Sequence, residues 1–207
     1  VPAVIGPQPD EARDEIERVA ARLDVQLAIA NQDWQAYEQQ GRLVFQDEQG
    51  LLDLPLPHLR GRHQIDNTGN AVAAIRLLKD PRITDHHIAA GVRETVWPAR
   101  MQRLTAGRLD VLLAPGMELW LDGGHNASAG RVISRAFSDI NEKHSRPLVL
   151  VWGMLNSKDT ASYIEPFAGL AHLVLAIAIP GEPNAVPAAT LAEVAEAAGL
   201  AAEACDS

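Results

Sequence analysis

The segment MELWLDGGHNASAGRVISRAF, residues 117–137, passes from an alternating apolar stretch through two glycines into an amphipathic stretch. The first five residues predict a β-strand whose odd-numbered side chains face the core: Met117, Leu119 and Leu121. Asn126 is suited to cap a helix over about 126–143, because its side chain can bond the free N–H groups of a first turn. One face of that helix carries Val132, Ile133, Ala136, Phe137 and Ile140. A strand followed by a helix is the repeating unit of an open α/β sheet.

The same alternation continues around this segment. Leu148–Trp152 and Leu173–Ile179 are apolar enough to be central parallel strands, and Leu109–Leu113 predicts another strand. A last helix covers about 187–198 and ends at Gly199, with no sheet partner expected after it. The fold class predicted is α/β with a mostly parallel, open sheet.

The N-terminal half is organised differently. Strands are predicted at Val1–Ile5 and Gln26–Ala30, and short strands with turns at Gly41 and Gly50 over 34–54. A helix over about 64–79 has the apolar stripe Ala71, Ala74, Ile75 and Leu78, and a second over about 85–95 has Thr84 as its N-cap. The character changes after WPARMQRL (97–104), so the predicted domains are 1–104 and 105–207.

Composition excludes several classes of function. The 207 residues are 47% hydrophobic, which is sufficient for a buried core, and 18 Lys and Arg against 27 Asp and Glu give a formal charge of −9. This acidity argues against nucleic-acid or anionic-membrane partners, which need a cationic surface. No apolar stretch approaches the roughly 20 residues that span a bilayer. The single cysteine, Cys205, and the lack of a leader-type start predict a cytoplasmic protein.

The segment LDGGHN (121–126) is the sharpest chemical signal. Asp122 is expected at the carboxyl edge of a strand, where open α/β sheets bind ligands, and its carboxylate could accept hydrogen bonds from a ribose. His125 and Asn126 begin the next helix, whose N-terminus favours phosphate oxygens. A tight turn with Asn126 as a simple cap explains the same residues equally well.

Other polar groups have similar alternatives. Asn67, four residues after His63, could recognise an adenine edge or serve as a cap. Arg100, near the domain boundary, could clamp a phosphate, whereas Arg103 is better explained as a surface residue. Lys158 and Asp159 in NSKD (156–159) follow a strand and could bind substrate or form a solvated turn. The pair His86–His87 is interpreted as surface.

Taken together, four motifs in this order resemble the folylpolyglutamate synthase/dihydrofolate synthase family of the Mur-ligase superfamily. They are LPLPHLRGRHQIDNTGNAVAAI, WPARMQRL, LDGGHNASAG and LVLVWGMLNSKD, and the resemblance covers nearly the whole chain. It implies the end of a central ATPase domain followed by a Rossmann-like C-terminal domain. Ala99, Gly124 and Ser128 depart from the family pattern, which usually has Gly, Ala and a nearby Pro.

The resemblance also implies roles. The family phosphorylates a folate or dihydropteroate carboxylate with ATP and Mg²⁺, and L-glutamate then attacks the acyl phosphate. By position, Asn67 matches an adenine contact, Arg100 a phosphate contact, Asp122 a ribose contact, and His125 a residue near nucleotide and glutamate. Asn126, Lys158 and Asp159 are further substrate-binding candidates. No residue of the chain matches a catalytic or metal-ligating position of the family.

Two expectations concern the rest of the family's length. The P-loop, the Mg²⁺ ligands and the modified lysine of the family would precede Val1, and a final strand would follow Ser207, so the chain is expected to be an inactive part of a monomeric enzyme. The alternatives are a peptidoglycan Mur ligase, against which His63-Gln64 weighs, and a non-catalytic nucleotide-binding module.

Overall fold

The structure is a computed structural model that describes residues 2–206, apart from the side chain of residue 110. The chain forms two compact units, the first ending at Pro98 and the second beginning at Ala99. This division lies before the expected boundary at 104/105. The reason is that strand β6 (Gln102–Leu104) pairs antiparallel with β7 (Leu119–Leu121), so the residues after Pro98 pack with the second unit.

The first unit begins with a strand–helix–strand motif. Strands β1 (Ala3–Ile5) and β2 (Leu27–Ile29) pair in parallel, and helix α1 (Asp10–Arg22) connects them in sequence. Helix α1 follows Pro9, and its first turn carries Asp10 and Glu11, which complement the helix dipole. The predicted strand–helix–strand order is confirmed here.

An antiparallel meander follows, formed by β3 (Trp34–Gln39), β4 (Arg42–Asp47) and β5 (Gly50–Leu54). The first turn contains Gln40 and Gly41 with φ of 52° and 73°, and Gly50 has φ of 117°. Positive φ values of this kind favour glycine, which explains why the two turns were predictable from the sequence.

Helices α2 (His63–Leu77) and α3 (Asp85–Glu94) cover the meander. The predicted apolar stripe of α2 is confirmed for Ile75, which packs on the core, and is wrong for the other three residues: Ala71 and Ala74 are exposed and Leu78 is 69% exposed. Helix α2 instead buries Gly69, Val72 and Ala73, and a Cβ on Gly69 would lie 2.6 Å from that of Ala36 on β3. Close approach of the backbones therefore decided which face is buried. The core of the unit includes Leu43, Phe45, Leu54, Val72 and Ile88.

The second unit contains a parallel sheet in the order β10–β9–β8, formed by β8 (Leu148–Trp152), β9 (Ala171–Ile177) and β10 (Ala202–Cys205). Helices α4 (Ala127–Lys143), α5 (Thr160–Ile164) and α6 (Ala188–Ala197) alternate with these strands. The shared core includes Ile133, Trp152, Ile164, Phe167, Val174 and Leu191. The predicted mostly parallel α/β sheet is confirmed.

Four predictions for this unit are wrong in detail. Strand β10 pairs with β9, so the last helix does have a sheet partner after it. Strand β8 lies at the edge of the described sheet, where Val151 is 65% exposed, and only β9 is central. Residues 110–112 form a single 3₁₀ turn, not a strand. In β7 the side chain that packs on the core is that of Trp120, whereas Leu121 is 47% exposed.

No helix within residues 2–206 combines the length and apolar character needed to cross a bilayer.

Candidate functional site

The carboxylate of Asp122 joins two loops of the second unit. Its Oδ2 accepts a hydrogen bond from the backbone N–H of Met101 at 2.7 Å, and its Oδ1 accepts one from Gly124 N–H at 2.7 Å. The Gly123 N–H donates to the carbonyl oxygen of Ala99 at 2.9 Å. Loop 99–101 and loop 122–124 are therefore fixed to each other by three hydrogen bonds, two of them to an ionised acceptor and hence of the stronger kind.

The conformation of loop 99–101 is unusual for its residue types. Ala99 has φ of 54° and Met101 has φ of 44°, a left-handed region in which a Cβ is unfavourable. Ala99 occupies the position at which the resembling family usually has glycine, so this chain adopts that backbone geometry with a strained residue. The bonds from Asp122 and Gly123 on both sides of Arg100 hold the strained loop in place.

Arg100 lies between these two left-handed residues. Its side chain is exposed and, within the part of the chain that the structure describes, forms no ion pair or hydrogen bond. A guanidinium of this kind has its planar set of donors available for an anionic ligand.

Arg103, unlike Arg100, forms an ion pair in the described structure. Its guanidinium contacts Glu118 at 3.1 Å, and Arg146 contacts the same carboxylate at 3.0 Å. Although burial opposes ionisation, Arg103, the indole N–H of Trp120 and Arg146 together hold the pKa of Glu118 below its ordinary value. The choice of Arg100 over Arg103 as the available cation agrees with this arrangement.

His125 and Asn126 follow Asp122 at the start of α4. His125 Nδ1 lies 2.9 Å from the carbonyl oxygen of Gly123, which can only accept, so the ring donates there and leaves Nε2 as an exposed acceptor in the neutral form. Asn126 Oδ1 accepts from Ala129 N–H at 2.9 Å and caps the helix. The capping alternative for Asn126 is thus realised, and its amide nitrogen stays available to a ligand.

Tyr163 connects the Asp122 loop to the core of the second unit. The ring is 9% exposed and stacks on Trp152 with centroids 6.2 Å apart. Burial, followed by the negative charge of Asp122, raises the pKa of Tyr163 to about 12. The phenol therefore remains neutral at physiological pH.

Asn67 lies on α2 in the first unit. Its Nδ2 donates to Gln64 Oε1 at 3.1 Å, and Gln64 Nε2 lies 2.8 Å from His63 Nε2. Asn67 and Gln64 line a mainly apolar cavity of about 450 Å³ between α2 and α3. The other residues lining it include Thr68, Ala71, Ile75, Ile83 and His87. An apolar recess edged by a carboxamide has the composition of a site for a planar heterocyclic base.

Sequence reasoning missed two residues at this cavity. Gln64 is a buried amide, 4% exposed, and the helical spacing from Asn67 gave a signal for it. His87 is exposed, as the sequence predicts, and its further role in capping α3, where its Nδ1 accepts from the Thr84 N–H at 3.2 Å, was missed. The prediction of Thr84 as N-cap is confirmed.

Lys158 and Asp159 are at the start of α5. Asp159 Oδ1 accepts from Ser162 N–H at 3.0 Å, and Ser162 Oγ donates to Asp159 Oδ2 at 2.6 Å. These bonds lower the pKa of Asp159 from its ordinary value. Asp159 thus caps α5, while Lys158 is half-buried.

The structure brings Arg100, Asp122, His125 and Asn126 together on two joined loops of the second unit, whereas Asn67 belongs to the first unit. Across residues 2–206, leaving aside the side chain of residue 110, no three His, Cys, Asp or Glu side chains are grouped so that they could hold a metal ion.

Comparison with known proteins was made over the whole sequence. No protein-family model matches the chain. A folylpolyglutamate synthase from Lacticaseibacillus casei is 26% identical over 152 residues, covering 72% of this chain and 32% of that protein. A probable dihydrofolate synthetase from Schizosaccharomyces pombe is 28% identical over 109 residues, covering 52% of this chain and 24% of that protein. The chain thus spans about a third or less of the curated relatives it matches.

Solved structures agree with the fold. Escherichia coli FolC in complex with DHPP and ADP superimposes with a TM-score of 0.82 and 22% identity, over 100% of this chain and 44% of that one. A bifunctional folylpolyglutamate synthase/dihydrofolate synthase from Yersinia pestis, complexed with AMPPNP and Mn, has a TM-score of 0.78 and 24% identity, over 98% of this chain and 44% of that one. Mycobacterium tuberculosis folylpolyglutamate synthase complexed with ADP has a TM-score of 0.78 and 21% identity, over 97% of this chain and 44% of that one.

These findings define the class first: the chain is an α/β protein with the Mur-ligase-type fold that its sequence predicts. Within that class, the resemblance of its motifs to the folylpolyglutamate synthase/dihydrofolate synthase family is confirmed, because both curated relatives carry those activities in their names.

Proposed function

We propose that this chain is the C-terminal portion of an ATP-dependent ligase that adds L-glutamate to dihydropteroate or folate. Residues 1–104 would be the end of a central ATP-binding domain, and 105–207 would form most of the C-terminal domain. The observation that carries the proposal is the joining of loops 99–101 and 122–124 by Asp122. Arg100 lies within the first of these loops and His125 directly follows the second, and neither the guanidinium nor the Nε2 of His125 has a partner among the described residues.

The chemistry of such a ligase needs positioning and charge neutralisation more than proton transfer. The γ-phosphoryl group of ATP passes to a substrate carboxylate oxygen, and ADP leaves. The amine of glutamate then attacks the acyl carbon and forms a C–N bond. The bond from that carbon to the phosphate oxygen breaks, inorganic phosphate leaves, and the nitrogen loses a proton. Arg100 would neutralise phosphate oxygens, Asp122 has lone pairs left for ribose hydroxyls, and Asn67 would bond the base.

Each unit has groups that fit part of ATP. In the first, the amide-edged apolar cavity matches a base; in the second, the guanidinium of Arg100, which has no partner among the described residues, and the carboxylate of Asp122 match phosphate and ribose. His125, Asn126, Lys158 and Asp159 would lie toward glutamate or the nucleotide. The Mg²⁺ of the reaction would be held by residues other than those described here. A cytoplasmic location, a monomeric enzyme and the lack of a nucleic-acid partner stay predictions.

The test is an assay of the protein encoded by the complete reading frame that contains this chain. We expect ADP formation that requires L-glutamate together with dihydropteroate or folate, and a GxxxxGK[ST] segment upstream of residue 1. Arg100→Ala and Asn67→Ala should each lower this activity at least tenfold, whereas Asp139→Ala, at an exposed position of α4, should not change it.

Other outcomes would assign the chain elsewhere. Activity with a peptidoglycan precursor in place of the pteroate would make it a Mur-type amino-acid ligase. A start codon directly before residue 1 with nucleotide binding but no ligation would make it a binding module, and the proposed activity would be wrong in both cases.

A further inference from the structure

The turn formed by residues 99–102 carries Arg100 between two backbone positions of positive φ. Ala99 has φ of 54° and Met101 has φ of 44°, and residues with a Cβ rarely adopt this left-handed conformation. Such a conformation persists only where the surrounding contacts determine it. The contacts of this turn therefore decide how Arg100 is held.

The side chain of Gln102 closes the turn from within. Its Oε1 accepts a hydrogen bond at 3.0 Å from the backbone N–H of Ala99, three residues earlier in the chain. Because a backbone N–H can only donate, the atom of Gln102 that faces it must be the amide oxygen. The orientation of this amide is thus determined by its backbone partner. A side chain that bonds the N–H three residues before it closes a helix start in the same way.

Three further contacts hold the turn from outside. Asp122 Oδ2 accepts from the Met101 N–H at 2.7 Å, and the carbonyl oxygen of Ala99 accepts from the Gly123 N–H at 2.9 Å. The side chain of Met101 is 3% exposed and belongs to the core of the second unit. Within residues 99–102, Arg100 alone is exposed, so its guanidinium is offered to solvent by a backbone that is fixed on both sides.

We propose that Gln102 is a positioning residue for Arg100: by holding the Ala99 N–H, it keeps the turn in its left-handed conformation and the guanidinium in place for the phosphate oxygens of a nucleotide. This inference rests on the proposed function and deepens it by naming a residue that acts through another. A long side chain loses rotational freedom when it binds, and a fixed backbone lowers that cost. The contribution of Gln102 to nucleotide affinity should therefore depend on Arg100.

Amide hydrogen exchange of the 207-residue chain tests the effect on the turn. Gln102→Leu removes the acceptor at nearly constant volume, and one neutral hydrogen bond shifts an equilibrium by roughly two- to tenfold. We expect the Met101 amide, whose own acceptor is Asp122, to exchange about threefold or more faster in this variant. Gln102→Glu keeps an acceptor oxygen and should preserve the exchange rate of the wild type.

ADP titrations followed by nitrogen-15 NMR test whether Gln102 acts through Arg100. Arg100→Ala should raise Kd for ADP about tenfold or more, because hydrogen bonds from a charged donor to phosphate are of the stronger kind. Gln102→Leu should raise Kd about fivefold. In the double variant, Kd should stay within about twofold of that of Arg100→Ala, since a positioning effect disappears with the side chain that is positioned.

Glycine at residue 99 gives a second readout that a general structural role would not move. Glycine adopts positive φ without the steric cost that a Cβ imposes at this position. In an Ala99→Gly background the turn depends less on its bond to Gln102. We expect Gln102→Leu to change Kd for ADP by about twofold or less in that background.

Asn141 provides the matched control. Its Oδ1 also accepts from a backbone N–H of the second unit, that of Arg146 at 2.8 Å, near the end of α4. Asn141→Leu removes a comparable bond and should leave both the exchange of the Met101 amide and Kd for ADP unchanged. If Gln102→Leu fails to fold, Gln102→Ala removes the same acceptor and takes its place.

The outcomes separate this inference from the proposed function. ADP binding that is weakened by Arg100→Ala but unchanged in Gln102→Leu would refute the positioning role alone. Additive losses in the double variant, or an equal effect of Gln102→Leu with glycine at residue 99, would show a general structural role and overturn the proposal. The lack of saturable ADP binding, or binding that Arg100→Ala does not weaken, would refute the phosphate contact and the positioning role together.

Discussion

Asp122 illustrates how one side chain can hold a site together and contact a ligand. Both carboxylate oxygens accept backbone N–H groups, from Met101 and Gly124, and hydrogen bonds to charged groups contribute about 1.5–3 kcal/mol each. We therefore expect Asp122→Ala to lower the free energy of unfolding by about 2 kcal/mol or more, as measured by urea denaturation. Asp122→Asn keeps one acceptor oxygen, so its loss should be smaller.

Asp139→Ala on the exposed face of α4 is the matched control and should stay within about 0.5 kcal/mol of the wild type. An Asp122→Ala variant as stable as this control would mean that the two loops are joined by other contacts. In an active longer protein, Asp122→Ala should also raise KM for ATP more than it lowers kcat, because a ribose contact is made in ground and transition state alike.

Arg100 and Arg103 provide an internal comparison of two cations three residues apart. Arg100 is exposed without a partner in the described structure, while Arg103 pairs with Glu118 at 3.1 Å. A lysine keeps the charge but loses the planar set of donors, so in an active longer protein Arg100→Lys should lower kcat about tenfold or more, roughly 1.4 kcal/mol.

Arg103→Lys should leave kcat nearly unchanged, because lysine can still pair with Glu118 and Arg146 remains beside the same carboxylate. Steady-state kinetics of the two variants tests which arginine contacts the phosphate. A greater sensitivity of Arg103 would place the phosphate contact there instead.

Tyr163 gives the second unit a pH dependence at the alkaline end. Burial and the charge of Asp122 raise its pKa to about 12, against about 10 for an ordinary tyrosine. Between these values the unfolded state binds fewer protons than the folded state, so stability should fall as pH rises from about 10 to 12. The loss is on the order of 2 kcal/mol.

The measurement is the phenolate absorbance of a Tyr37→Phe variant, in which Tyr163 is the remaining tyrosine of the two in the chain. The folded protein should titrate near 12, and Asp122→Asn should move the midpoint downward. A midpoint near 10 in the folded protein would show that the ring is neither desolvated nor close to a negative charge.

At the scale of elements, the sequence predicted those features that local chemistry determines. The turns at Gly41 and Gly50 need positive φ, and α4 starts where Asn126 can cap it, so both were found. The strand predicted over 109–113 is wrong, because a short apolar run does not distinguish a strand from a turn. Strand β10, AEAC, has weak strand propensity and forms because β9 offers an edge.

In the candidate site, too, local features could be predicted from the sequence and long-range contacts could not. Asp122, His125 and Asn126 were predictable from a strand–turn–helix segment, since all three act within a few residues of each other in sequence. The bond from Met101 to Asp122 spans 21 residues, and the pairing of Arg103 with Glu118 depends on strand register. Contacts of that kind depend on the tertiary fold, which local patterns do not encode.

Helix α4 packs closely against α5 at Gly130. A Cβ on Gly130 would lie 2.3 Å from the carbonyl oxygen of Tyr163, and backbone cannot move aside cheaply. Alanine favours a helix interior by about 1 kcal/mol over glycine, but overpacking costs about 1–3 kcal/mol. We expect Gly130→Ala to destabilise the protein by up to about 2 kcal/mol, the overpacking cost less the gain in helix propensity.

Gly91→Ala in α3 is the matched control, because nothing lies within 4 Å of its Cβ position. It should stabilise by roughly 0.5–1 kcal/mol, so that the two glycine substitutions differ in sign. Urea denaturation of both variants measures this, and a stabilising Gly130→Ala would mean that the two helices are farther apart than the structure places them.

Each of the two units carries candidate ligand-binding residues of its own, Asn67 in the first and Arg100, Asp122 and His125 in the second. Each unit also has its own core, so these residues are supported by separate sets of contacts. The effects of substituting Asn67 and Asp122 on the free energy of unfolding should accordingly be additive, because the two residues belong to units with separate cores.

The 207-residue chain should bind nucleotide without hydrolysing it. Phosphoryl transfer depends chiefly on a phosphate-cradling loop and on metal ligands, and the sequence contains no GxxxxGK[ST] segment. Among the described residues, no group of three acidic, histidine or cysteine side chains could hold a metal ion. We therefore expect no glutamate- and folate-dependent phosphate release above the buffer blank from the purified chain. The same preparation should still bind ADP, with nitrogen-15 NMR shifts at the side-chain amide of Asn67. Turnover that depends on both substrates and is abolished by Arg100→Ala would prove that the chain carries a complete catalytic site of its own.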